Sequence, residues 1–272
     1  MKPLVSNATA IAIIQARMSS SRLPGKVLMP LAGRPMIWHI HQRLKLCKHV
    51  NQIVVATSKE KEDDELANYC DLNNIQYKRG SLTNVLERFA DIFGKTEQEY
   101  VARITGDCPL IYPEFIDHQI EMLALYSADF VQTIPNSTNL TGQGVYSKES
   151  LLRVYERSTD LDDQEHVGAN YLSKNYRKFK VLGMKLPAYL HRTQHKLSID
   201  EIEDYLMIEK IYDALWDGSP ISINDVLDWL IQNPSASQIN KLINNSAINI
   251  MVEKQKKEIK IGPSMIVDWF EK

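Results

Sequence analysis

The stretch IAIIQARMSSSRLPGKVL, Ile11 to Leu28, decides how the chain is read. Ile11, Ala12, Ile13 and Ile14 form an unbroken apolar run of strand length, which predicts a buried strand. The run empties into a loop that carries Arg17, Arg22 and Lys26, the serines Ser19, Ser20 and Ser21, and one glycine, Gly25. Cations and hydroxyls directly after a core strand need a physical reason, and the rest of the chain supplies the context.

Working outward, strand-like and helix-like segments alternate. Pro35 reads as the first residue of a helix, where its missing N–H costs little. The apolar positions Ile37, Ile40, Leu44 and Cys47 follow at helical spacing. Further strands are expected at Ile53–Ala56, Ile75–Tyr77, Tyr100–Ile104 and Asp129–Gln132. Between them, helices are expected at Glu62–Leu72, Val85–Phe93 and from Pro113 onward. This rhythm predicts an α/β fold, with a mostly parallel sheet covered by helices on both faces.

The rhythm changes after Gln132. Residues Thr133 to Gly144 are polar, contain Pro and Gly, and read as a loop or small inserted arm, about 133–146. Beyond it, helices are expected at Lys148–Ser158 and Gln164–Lys174, and strands at Phe179–Met184 and around Lys196–Ile199. A helix at Ile202–Leu215 and helical sequence from Ile223 follow. The reading is one domain over residues 1–240 and a C-terminal tail over 241–272, in which the basic run Glu253–Lys260 is a solvated surface.

Composition bounds the function. With 32 Lys and Arg against 34 Asp and Glu, the net charge is −2. No global basic field exists to hold nucleic acid, so phosphate binding must come from local cations. The three cysteines, Cys47, Cys70 and Cys108, are sparse and widely spaced; they give neither a disulfide framework nor a zinc pattern, and they suit a reducing cytoplasm. No apolar run approaches membrane-spanning length, and the polar start MKPLVSNATA lacks a signal-peptide core.

In an open α/β sheet, ligands bind outside the carboxyl ends of the strands. Arg17 to Lys26 lies at such an end. Lys and Arg there can pair with phosphate oxygens through charge-assisted hydrogen bonds, and Pro24-Gly25 lets the chain turn sharply before Lys26. The loop is neither GxxxxGK[ST] nor GxGxxG, which argues against a P-loop and a dinucleotide cofactor. Two aspartates sit at other strand ends: Asp107 in RITGDCPLI and Asp200 in KLSIDEIED. Two carboxylates facing a phosphate loop can hold Mg²⁺, which takes one or two carboxylates plus substrate phosphates. Either aspartate could instead serve locally, Asp200 as an N-cap and Asp107 as the brace of a turn.

The segments IIQARMSSSRLPGKVL, RGSLTNVLERF, RITGDCPLI and KLSIDEIED, in this order, resemble the cytidylyltransferase-like sugar-nucleotide family. The branch is similar to the spore-coat polysaccharide biosynthesis type and is related to the synthetase of CMP-activated 3-deoxy-octulosonate. The resemblance implies a Rossmann-like nucleotidyltransferase α/β/α sandwich. It implies that CTP and a sugar or sugar acid yield a CMP-sugar and pyrophosphate, for cell-surface polysaccharide or glycoconjugate synthesis. By motif match, Arg17, Lys26, Asp107 and Asp200 would be catalytic, and Asp107 and Asp200 would hold Mg²⁺. Ala16, Arg17, Ser20, Arg22, Lys26, Arg79, Ser81, Arg88 and Asp107 would bind the nucleotide; Gln143, Glu165 and His166 would face the sugar. A homodimer is the assembly the resemblance implies.

The chain departs from the family pattern in three places. Asn84 stands where an acidic residue often precedes Val-Leu, Asp200 is followed by Glu201-Ile202 without the usual proline, and GQGVYSK lacks an acidic residue near the sugar. Two other readings remain at this level: a non-catalytic nucleotide- or sugar-binding protein on the same fold, and a nucleotide-sugar-dependent glycosyltransferase. The latter usually shows a DxD metal motif; here Asp63-Asp64 and Asp162-Asp163 are adjacent pairs in helical segments.

Overall fold

The computed structural model describes residues 7–134, 143–168, 171–172, 175, 177–191, 195–240 and 265–268. The opening strand, β1 (Ala10–Gln15), is buried on both faces. Ala10, Ala12 and Ile14 enter one hydrophobic core, while Ile11 and Ile13 enter the other. A strand with two dry faces has no polar alternation, hence its continuous apolar sequence. A 3-10 turn at Lys26–Leu28 and a short hairpin, β2 (Pro30–Leu31) and β3 (Arg34–Pro35), lead into α1 (Met36–Leu44).

The chain continues through β4 (Val50–Ser58), a 3-10 turn at Lys61–Asp63, α2 (Asp64–Leu72), β5 (Tyr77–Gly80), α3 (Val85–Phe93), β6 (Tyr100–Thr105) and α4 (Pro113–Tyr126). Then come β7 (Phe130–Ile134), β8 (Gln143–Ser147), α5 (Lys148–Arg157), α6 (Leu161–Glu165) and β9 (Val181–Lys185). The last elements are α7 (Ile202–Leu215), α8 (Ile223–Gln232), α9 (Pro234–Ser237) and β10 (Met265–Asp268).

The main sheet has eight strands in the order β10-β9-β7-β8-β6-β1-β4-β5. Its pairings are parallel except where β8 meets β6 and β7, so β8 alone runs against the rest. One core lies under α1, α4, α7 and α8, the other under α3 and α5. This is the expected mostly parallel α/β sandwich. The chain steps from β1 to β4 and β5 on one side, then returns to place β6 on the other. Order therefore reverses between β1 and β6, and in open α/β sheets ligands bind outside the carboxyl ends of the strands at such a point. Among the described residues, no helix is long and apolar enough to cross a membrane.

Several expected elements move. Pro35 precedes the helix instead of starting it, because its backbone is still extended in the hairpin (ψ 146°). The third parallel strand is Tyr77–Gly80 and not Ile75–Tyr77. Ile75 belongs to the end of α2: Asn74 is left-handed (φ 54°), Ile75 N–H donates to Cys70 O and Asn74 N–H to Asp71 O. That is a Schellman motif, and Ile75 is its buried anchor. The segment Lys196–Ile199 joins no strand ladder; Ile199 N–H makes a single backbone bond to Asp107 O at 2.8 Å. The expected Gln164–Lys174 helix is interrupted: α6 spans Leu161–Glu165, a turn follows with Val167 at φ 54° and Gly168 at φ 72°, and Tyr171 and Leu172 are helical again, while 169–170 and 173–174 lie outside the described residues. Thr133 and Ile134 extend β7, and Gln143 opens β8; the expected arm between them, 135–142, lies outside the described residues, as does Glu253–Lys260.

Candidate active site

The turn after β1 is fixed from both ends. Gly25 takes the left-handed conformation (φ 75°) that a side chain would resist, and its N–H donates to Met18 O. Asp63, fully buried, accepts from Met18 N–H at 2.6 Å and from Ser58 N–H at 3.0 Å. One carboxylate thus ties the turn to the end of β4. Ser20 Oγ accepts from Leu23 N–H at 3.4 Å and helps shape the bend.

The loop after β6 is drawn against this turn. Gly106 N–H donates to Gln15 O at 2.8 Å, and a Cβ at Gly106 would fall 2.9 Å from Ala16 Cβ. Only glycine permits that approach, which sets Asp107 beside Lys26. The third segment arrives from far along the chain, as Ile199 docks on Asp107 O and places Asp200 next to it.

Lys26 lies at the meeting point and is 8% exposed. Its ammonium donates to Asp107 Oδ2 at 2.9 Å, to Ile199 O at 2.6 Å and to Asp200 Oδ1 at 3.4 Å. Arg22 pairs with Asp200 Oδ1 at 2.8 Å and reaches Glu201 at 3.5 Å. Lys196 pairs with Asp200 Oδ2 at 2.8 Å and also with Asp204. Burial alone would raise the Asp200 pKa; the hydrogen bond and charge of Lys196, then Lys26 and Arg22, outweigh it and hold the carboxyl below its ordinary value. Burial would lower Lys196, but Asp200 and Asp204 hold it above the usual lysine value.

Asp200 is not the helix cap. Glu201 is the N-cap of α7, and Asp204 closes a capping box with it. Asp204, fully buried, accepts from Asp200 N–H at 3.0 Å, from Glu201 N–H at 3.1 Å and from Asn240 Nδ2 at 2.9 Å. The Asp200 carboxylate is left to face the cations.

The other candidates divide. Arg17 is exposed on the turn, beside buried Ala16. Arg88, on α3, is 1% exposed, and its Nε and Nη1 have no hydrogen-bond partner. Burial, then the charge of Arg17, push the Arg88 pKa down to about 10, against the pull of Asp63. Arg79 braces the loop after β4, donating to Ser58 O at 2.8 Å and Glu60 O at 2.9 Å and pairing with Asp64 at 2.7 Å. Ser81 Oγ accepts from Asn84 N–H, and Asn84 in turn caps α3 by accepting from Glu87 N–H at 2.9 Å. Gln143 lies opposite Ile104, and its Oε1 accepts from Tyr112 N–H while its buried Nε2 has no partner. Glu165 and His166 are exposed at the end of α6, away from the β1 turn in sequence and on a different element from either aspartate.

Sequence reading missed Asp63, Lys196, Asp204 and Arg103. Arg103 sits on β6 opposite Gly144, donates to Gln15 Oε1 at 3.1 Å, and keeps a buried Nε without a partner. Even the capping box was hidden, because it is closed by Glu201 and Asp204 where the usual pattern has Ser or Thr and then Glu or Gln.

A reversal point in a parallel sheet, with cations on one loop and carboxylates converging from two others, is an arrangement suited to handling phosphate. The chain belongs to the cytidylyltransferase family, whose model matches residues 11–256. It is 31% identical to the spore coat polysaccharide biosynthesis protein SpsF of Bacillus subtilis, over 83% of this chain and 95% of that protein. It is 32% identical to the 8-amino-3,8-dideoxy-manno-octulosonate cytidylyltransferase of Shewanella amazonensis, over 73% of this chain and 83% of the relative. The solved structure of a cytidylyltransferase from Leptospira borgpetersenii superposes with a TM-score of 0.76 at 27% identity, covering 85% of this chain and 97% of that one.

Proposed function

We propose that the chain activates a sugar or sugar acid with CTP, releasing pyrophosphate and a CMP-sugar for surface polysaccharide or glycoconjugate synthesis. The observation that carries this is the Lys26 ammonium lying between Asp107 and Asp200 at the carboxyl ends of β1 and β6. The acceptor oxygen attacks the α-phosphorus in line; the new O–P bond forms as the bond to pyrophosphate breaks, and the hydroxyl proton leaves to solvent. Arg17, Arg22 and Lys26 would meet the charge that gathers on the leaving pyrophosphate, where electrostatic contacts count most. Buried Arg88, with two unused donors, suits an acceptor edge of the nucleotide.

The Asp107 and Asp200 oxygens suit Mg²⁺. Among the described residues no cluster of three or more His, Cys, Asp or Glu forms a closed metal cage, so phosphate and water would complete the shell, as Mg²⁺ usually requires. When bound, the ion would polarise the α-phosphate. At the acceptor end, Gln143 Nε2 and Arg103 Nε are buried donors without partners, which fits a hydroxyl-rich anionic sugar. The Shewanella relative is named for an amino-dideoxy-octulosonate, which is such a sugar acid.

The test is a pyrophosphate-release screen of four nucleoside triphosphates against sugar acids, sugar phosphates and neutral sugars, with and without Mg²⁺. Release with CTP and a sugar acid, dependent on Mg²⁺, is expected. Tight CTP binding with no turnover across the panel would instead establish a non-catalytic binder.

A further inference from the structure

An ammonium has three donors, and Lys26 uses all three inside the protein: on Asp107 Oδ2, on Ile199 O and on Asp200 Oδ1. In this arrangement it has no donor left for a phosphate. Both Asp200 oxygens are likewise engaged. Its Oδ1 meets Arg22 and Lys26, and its Oδ2 meets Lys196. A cation arriving alone would have to displace Lys26 from a site only 8% exposed, leaving a buried ammonium without its counter-charge. A cation arriving on a triphosphate brings the anion that can accept the displaced ammonium.

Resting on the metal assignment made above, we propose that Lys26 is an exchangeable counter-ion of the aspartate pair. The divalent ion enters between Asp107 and Asp200 only with the nucleotide, and Lys26 passes from the carboxylates to the phosphates as it does so. Arg22, more exposed and bonded to the same Asp200 oxygen, follows Lys26. Lys196 stays, because Asp204 holds it from the protein side. Lys26 therefore sets the order of loading as well as neutralising charge in the reaction.

The proposal predicts that removing the ammonium opens the pair to bare metal. Mn²⁺ binding to nucleotide-free protein is measured by calorimetry for wild type, Lys26→Met and Lys26→Gln; Gln keeps a donor for Ile199 O should Met impair folding. Either neutral variant should bind Mn²⁺ at least about tenfold more tightly than wild type, and Asp107→Asn in the same background should abolish the gain. Equal affinity in wild type and both variants overturns the exchange. A separate arm tests the metal assignment itself: water-proton relaxation of Mn²⁺ with a non-hydrolysable CTP analogue should change on adding wild-type protein and not on adding Asp200→Asn. No change with wild type would refute the metal site whatever Lys26 does.

Discussion

His41 shows how a single buried group lowers a fold's tolerance of acid. It is 8% exposed, and its Nδ1 has no hydrogen-bond partner. Burial, with Lys45 adding repulsion, lowers its pKa from 6.5 to about 4. In the unfolded chain it takes a proton near its ordinary value, while the folded chain refuses one until about pH 4. Stability should therefore fall as pH drops through that window, by up to about 3 kcal/mol from this one group. His39, lowered chiefly by burial, acts in the same direction. Melting temperatures between pH 7 and 5 should decline less steeply in His41→Gln than in wild type; parallel slopes would remove His41 as the cause. At the same scale, Asp107→Ala or Asp200→Ala should cut kcat on the order of 10²–10³, the usual cost of losing a comparable electrostatic element. Activity within about tenfold of wild type in both would refute their role. Asp107 was legible because it follows an apolar run at the end of β6; Asp200 was legible because it stands between the buried Leu197 and Ile199 and a helix start, although no strand precedes it. Asp63 was not, because its partner Met18 lies 45 residues away and nothing local marks the contact.

At the scale of elements, the N-terminus of α7 holds the site together. Asp204 satisfies the N–H groups of Asp200 and Glu201, and with them Lys196 and Asn240. Asp204→Ala would leave the half-buried Lys196 ammonium with Asp200 alone and strip the N–H groups of Asp200 and Glu201 and the Asn240 amide of their buried acceptor. Breaking a buried pair in this way typically costs about 3–5 kcal/mol. Urea unfolding should show a loss of that size, and a loss under about 1 kcal/mol would mean that the network is not integral to the fold. The bounds of α3 were readable from sequence because it carries a clean helical apolar stripe; those of α7 were readable from the spacing of Tyr205, Ile208 and Tyr212, although Ile202 and Leu206 stay exposed. The third parallel strand was misplaced because Ile75 looks like a β-former, yet it serves as the apolar anchor of a Schellman cap. β8 was not foreseen at all: a five-residue segment of Gln, Gly, Val, Tyr and Ser has too little alternation to announce itself beside a polar stretch.

Across the whole molecule, the alternation of strands and helices was visible, while the spatial order of the strands was not. Nothing local says that β1 lies between β4 and β6, or that β10 pairs in parallel with β9 (Met265 opposite Leu182) at the sheet edge. Yet that order makes the site, since it sets the loops after β1 and β6 side by side and leaves room for the distant Asp200 segment. The three cysteines are buried and free, so packing and not crosslinking holds these layers together. The most direct measurement is a crystal structure grown with a non-hydrolysable CTP analogue and Mn²⁺, with the metal located by anomalous scattering. The proposed chemistry predicts one manganese peak within bonding distance of Asp107, Asp200 and a phosphate oxygen, with the triphosphate against Arg17 and Arg22. A nucleotide bound with its metal away from both aspartates, or bound at another edge of the sheet, would contradict it.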